Sequence, residues 1–123
     1  LISKFRNPMF ALSTVTIAQR NFYQLEMKNR EFKIKAEVWR WPGEGGWHFV
    51  TLDKVLSQQI RKSYPKGFVK IKAQIGQTSW DTSLFPHKRS ESYLLSVKYL
   101  VRKREDIFEG DEVKIGFRII GTN

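Results

Sequence analysis

The stretch 48–75, HFVTLDKVLSQQIRKSYPKGFVKIKAQI, decides the fold because it recurs. Shifted by 44 residues, it lies without a gap on 92–119, SYLLSVKYLVRKREDIFEGDEVKIGFRI. Lys54, Leu56, Val69, Lys70, Ile71 and Ile75 fall on identical residues at Lys98, Leu100, Val113, Lys114, Ile115 and Ile119. Phe49 falls on Tyr93 and Tyr64 on Phe108; extended backward, Trp41-Pro42 falls on Phe85-Pro86. A repeat of this length means one supersecondary unit used twice, so the local reading of one copy constrains the other.

Each copy reads as strand–strand–helix–strand. In the first, Phe32, Ile34, Ala36 and Val38 alternate with Lys33, Lys35 and Glu37, the period of a half-buried strand over 31–41. Pro42 to Gly46 is a turn, and Trp47 to Thr51 a short strand. Asp53 is placed to cap a helix whose Val55, Leu56, Gln59 and Ile60 follow helical spacing, and Pro65 and Gly67 stop it. Phe68 to Gly76 is a third strand, with Val69, Ile71, Ala73 and Ile75 on one face and Lys70, Lys72 and Gln74 on the other.

The second copy reads as a strand over 77–84, a loop over 85–92 containing Pro86, and a short strand over 93–96. A basic helix over 98–104, a turn at Gly110-Asp111 and a last strand over 112–119 follow. One unit buries only one face of a three-stranded sheet; two units related by a pseudo-twofold axis bury their apolar faces together. The expected fold is mostly β, a six-stranded barrel, closed or split, capped by two short helices.

Composition bounds the rest. A chain of 123 residues with 41% hydrophobic and 28% charged content is one globular domain, expected over 30–121. Residues 1–29 read as an N-terminal extension, disordered or not native, because the chain begins with Leu and Met27 stands just before the first clean strand. Absence of cysteine excludes disulfides, thiolate metal sites and cysteine nucleophiles. No apolar run approaches the roughly 20 residues of a membrane helix. These features fit a cytoplasmic protein with no cofactor. The net charge of +10 resides mainly in the domain and favours anionic partners.

No catalytic motif is visible. Gly43-Glu44-Gly45-Gly46 is followed by no Gly-Lys-Ser/Thr, and neither G-x-S-x-G nor S-x-x-K occurs. His48 and His87 stand 39 residues apart without ligand spacing, so no metal site is expected. Asp106, Glu109, Asp111 and Glu112 gather at a turn and are explained by turn chemistry.

Several segments carry a family resemblance: Ser79 to Pro86 (SWDTSLFP), Tyr93 to Lys98 (YLLSVK), Val101-Arg102-Lys103, Gly110 to Val113 (GDEV) and Trp47 to Val50 (WHFV). They resemble the prokaryotic domain-of-unknown-function family 1905 over roughly residues 30–120. That resemblance implies a double-split β-barrel, the architecture of AbrB-like DNA-binding domains, and carries no established activity. Ser96 stands where the family often has proline. Sharing an architecture with DNA-binding proteins is analogy only.

Two groups of residues are candidates for binding. Lys88, in the loop expected over 85–92, together with Lys98 and Arg102 on the basic helix, would converge on one anion if the loop folds over the helix, with Trp47 and Trp80 as aromatic partners. Trp39, Lys70, Lys72, Lys103 and Arg104 would form a nucleic-acid surface, with the outward Trp39 stacking on a base. The leading expectation is a module that binds a small anionic ligand or nucleic acid. Its rivals are a protein-interaction or homodimerisation module and an unrecognised enzyme.

Overall fold

A computed structural model describes residues 16–122. The order of elements is α1 (Ile17–Lys28), β1 (Glu31–Glu37), β2 (Trp39–Arg40), β3 (His48–Thr51), α2 (Lys54–Ser63), β4 (Val69–Ile75), β5 (Thr78–His87), β6 (Ser92–Ser96), α3 (Tyr99–Glu105) and β7 (Glu112–Thr122). The strands form one antiparallel sheet in the order β1-β7-β4-β5-β6-β3-β2. The sheet curls, since β1 comes back into contact with β3 near its far end.

The count is therefore seven strands and three helices among the described residues, not six and two. The strand expected over 31–41 is split: Val38 lies between β1 and β2, and its N–H and C=O bond to Asp111 and Gly110 in the turn before β7. The third helix is α1, within the segment read as an extension. Thr16 and Gln19 form a capping box there, Gln24 Nε2 donates to Ser63 O at 2.7 Å, and Met27 is buried. The remainder of that expectation, residues 1–15, lies outside the described residues.

Strand pairing confirms the repeat from β3 onward and breaks it upstream in two places. Ala73 faces Phe117, its own repeat partner, so the pseudo-twofold axis passes through that pair. Val69 faces Leu84 while Val113 faces Ala36, so β1 lies on β5 at an offset of 48, not 44. Trp39 faces Phe49 while Pro86 faces Tyr93, an offset of 47. The loop 41–47 is longer than its counterpart 88–91 by three residues, and Val38 adds one more. The match of Trp41-Pro42 with Phe85-Pro86 is thus a coincidence of sequence, corrected by the ladder.

β5 also runs on through Pro86 to His87, where a loop was expected. Past Leu84 it has lost β4 as a neighbour and pairs with β6 alone, which is where a strand tolerates proline.

The inner face carries the core. Across it run Phe32, Phe117, Ala73 and Trp80 in facing positions, large residues around one small one, with the rings of Phe32 and Phe117 stacked at 5.1 Å. Asp53 caps α2 by accepting from Leu56 N at 2.8 Å, and α2 turns Ile60 and Ser57 inward while Val55 stays exposed. Gly76 makes the two-residue turn from β4 to β5 with φ of 56°, and a Cβ there would strike the Glu105 carboxylate. That carboxylate accepts from Thr78 Oγ1 at 2.6 Å and ties α3 to the sheet.

Ser57, fully buried, accepts from Tyr93 N at 3.0 Å and fixes α2 to β6. Ser57→Ala leaves that buried N–H without a partner, and the expected cost is about 1–3 kcal/mol in a urea unfolding titration. Burial also raises the pKa of the Tyr93 hydroxyl above its ordinary 10.0, with Arg61 partly opposing, and burial raises Tyr64 too. A raised tyrosine favours the folded state below pH 10 and withdraws that support above it. Stability should therefore decline from about pH 10 upward, and Tyr93→Phe should flatten part of the decline in thermal unfolding followed against pH.

Candidate functional site: an aromatic platform beside a basic sheet face

β3 and β6 are covered on both faces. Val50, Tyr93 and Leu95 belong to the core, while Phe49 and Leu94 turn the other way and are buried by a second cluster. Phe49 is its hub. Its ring lies 5.5 Å from Trp39, 6.0 Å from Trp41, 6.0 Å from Phe85 and 6.4 Å from Trp47, the last stacked within 11° of parallel. Phe68 adds a ring 4.8 Å from Phe85, and Trp41 meets His87 edge-on at 6.0 Å.

Unlike a core, this cluster keeps its outer rings in water. Trp47 is 56% exposed, Phe68 51% and Trp41 40%. They line a hollow of about 380 Å³ together with Phe49, Phe85, Pro86, His87 and Leu94. Exposed aromatic surface concentrated in this way marks a recognition site more often than it marks chance. His87 holds the rim through its Nδ1, 2.7 Å from Ser90 Oγ. His48 is held in turn, its Nδ1 lying 2.6 Å from Gly46 O.

The surroundings are cationic. Arg40, Lys66, Lys88 and Arg89 are exposed beside the platform, while the nearby Glu91 pairs with Lys54 at 3.5 Å. The outer face of β4 then continues from Phe68 through Lys70 and Lys72, with Arg118 of β7 facing Lys72. Side chains two apart on one strand face are about 6.6 Å apart, so this is a regularly spaced row of cations leading away from the rings.

The sequence-derived sites fare unevenly. Lys88, Lys98 and Arg102 do not converge. Lys88 follows the end of β5 where His87 faces Ser92, and Lys98 follows the other end of β6, a strand of about 13 Å away. Arg102 is occupied locally: its Nε donates to Val97 O at 3.0 Å, its guanidinium lies over the Tyr99 ring, and burial lowers its pKa.

Trp80 is a core residue, 5% exposed, and has no ligand-facing surface. Trp39 is half-buried, donates from Nε1 to Thr51 Oγ1 at 3.0 Å, and packs against Trp41 with ring centroids 5.7 Å apart. Lys103 and Arg104 are exposed in the last turn of α3, where cations offset the helix dipole, and lie at the Thr78 end of β5, remote from His87. Trp47, Lys88, Lys70 and Lys72 do lie on or beside the platform.

Trp41, Phe49, Phe68, Phe85, His87 and Arg118 were missed as site residues. Parity was the available indication: Leu84 points inward, so Phe85 points outward once the strand is allowed to continue. Among the described residues no three His, Asp or Glu side chains gather where they could hold a metal ion.

No curated protein matches the chain. The family described as Domain of unknown function (DUF1905) matches residues 35–116, a span that includes β2 to β6, α2, α3 and every ring of the platform but leaves α1 outside. By that match the chain belongs to the DUF1905 family.

Proposed function

We propose that this protein is a binding module for single-stranded nucleic acid, with bases stacked on Trp41, Trp47 and Phe68 and phosphates over the row Lys70, Lys72 and Arg118. The observation that carries the reading is the continuity of exposed rings and exposed cations on one face of the sheet. Stacking platforms of this kind accept any base, because every base presents a π-face, and the cations hold the backbone that follows. A net charge of +10 and the exposed rings of the platform favour an anionic, base-bearing partner. A cytoplasmic location is part of the same reading.

The finer architecture enters here as well. Taken as one strand interrupted at Val38, residues 31–40 would pair with β7 by their first half and with β3 by their second, as β5 pairs with β4 and then β6. That arrangement would close the curled sheet into a six-stranded double-split barrel.

The first test is tryptophan fluorescence during titration with single-stranded oligothymidylate and with a duplex of equal length. Stacking on Trp41 and Trp47 should quench emission with the single strand at lower concentration than with the duplex. Equal quenching by both would refute the stacking role. A dependence of size on protein concentration without any oligonucleotide would instead assign the platform to homodimerisation.

A further inference from the structure

A second feature lies farther along the same sheet, on the outer face of β1, β7 and β4. There Gly116 stands between Lys33 on one side and Gln74 on the other. Two residues along on the same face Lys35 faces Lys114, and two residues in the other direction Lys72 faces Arg118. Like charges directly opposed across a sheet destabilise it; Glu31 opposite Arg118 and Asp81 opposite Lys72 offset the second pair, whereas Lys114 faces only Lys35. Among the described residues Lys35 finds an ion pair with Glu112 at 3.5 Å, whereas Lys33, Lys72, Lys114 and Arg118 find none.

Gly116 itself has an ordinary strand conformation, so positive φ does not explain it. A glycine inside a strand weakens it and often marks a place where a ligand approaches the backbone. A depression of about 490 Å³ lies over Gly116, walled by Lys33, Lys35, Lys114 and Gln74. One carboxylate reaches in: a Cβ on Gly116 would lie 3.4 Å from Glu31 Oε2. Glu31 is thus the only negative group among the lining residues, and it lies on the floor of the depression, where an anion would sit.

We propose that this depression is a phosphate-binding site, with Glu31 as the internal anion that an incoming phosphate displaces. Lys33, Lys114 and Gln74 supply donors from three strands, and the glycine floor lets the phosphate approach the sheet. The phosphate has two sources of identical chemistry, the backbone of a strand that has passed along Lys70 and Lys72, or a free phosphorylated small molecule. The site does not depend on the aromatic platform.

The test uses the whole chain, labelled with ¹⁵N and titrated with inorganic pyrophosphate at ionic strength held constant with chloride. Saturable shifts are expected at the Lys114, Gly116 and Gln74 amides. Lys114→Gln should weaken pyrophosphate binding about tenfold and at the same time raise Tm, because a like-charge pair is relieved. Glu31→Gln should tighten binding severalfold. A structural lysine would give neither the opposed change in Tm nor the gain at Glu31.

If Lys114→Gln also weakens oligothymidylate binding, the backbone is the source; if it leaves that binding intact, the ligand is free. In either case Trp47→Ala leaves pyrophosphate binding unchanged, which separates this site from the platform. Absence of saturable shifts, or equal shifts with chloride alone, overturns the proposal.

Discussion

Trp80→Ala should lower the unfolding free energy by about 3–5 kcal/mol, the largest stability effect expected of any tryptophan in the chain. Trp80 is 5% exposed and faces Ala73, whose small side chain makes room for the indole between β4 and β5. Truncation leaves a cavity in the row Phe32, Phe117, Ala73 that neighbours on three strands cannot all collapse to fill. Trp80→Phe should cost less than half as much, because the indole Nε1 is buried without a partner and its loss removes an unsatisfied donor. Trp47→Ala, at a ring 56% exposed, should change stability by less than about 1 kcal/mol. Urea titrations of the three variants check this directly. Comparable losses at positions 47 and 80 would mean that the platform is part of the core.

The opposite ranking is expected for binding. Stacking on one aromatic side chain is worth about 1–3 kcal/mol per base, so Trp47→Ala or Phe68→Ala should weaken single-strand binding about tenfold and the pair together about a hundredfold. Phosphate contacts enter as salt dependence. Each contact to a single strand adds about 0.7 to the slope of log K against log salt, so Lys70→Ala/Lys72→Ala should make that slope shallower by about 1.4. Anisotropy titrations over a salt series read both quantities. The ring variants should leave the slope unchanged, which distinguishes stacking from charge.

These two predictions concern residues whose roles the sequence allowed to be read in only one direction. Alternation in β4 and β7 is strict, so their inner and outer faces were legible, as were Asp53 and the helix it caps. The repeat was legible wherever lengths are conserved, from β3 through β4. It misled upstream, because the residues added at Val38 and in the loop 41–47 are invisible to an ungapped comparison.

Helix α1 was missed for a physical reason. It buries only Met27 and exposes Ile17, Phe22 and Leu25, so it has no apolar stripe, and Thr16 with Gln19 was the single readable indication. The platform was half legible for another reason: Trp41, Phe68 and Phe85 meet only because β2, β3, β6 and β5 are neighbours in the sheet. The expected trio Lys88, Lys98 and Arg102 failed on the same principle. Closeness in sequence around a loop does not survive an intervening strand, and β6 holds Lys88 and Lys98 at its two ends.

The most direct measurement is the ¹H–¹⁵N spectrum of the four indole Nε1–H groups during titration with single-stranded oligothymidylate. The resonances of Trp41 and Trp47 should shift and saturate together, Trp39 should move less because its Nε1–H is bonded to Thr51, and Trp80 should stay in place. Saturable shifts at Trp41 and Trp47 alone would establish the platform as the binding surface. No indole shift under conditions where anisotropy reports binding would place the nucleic acid elsewhere and contradict the account.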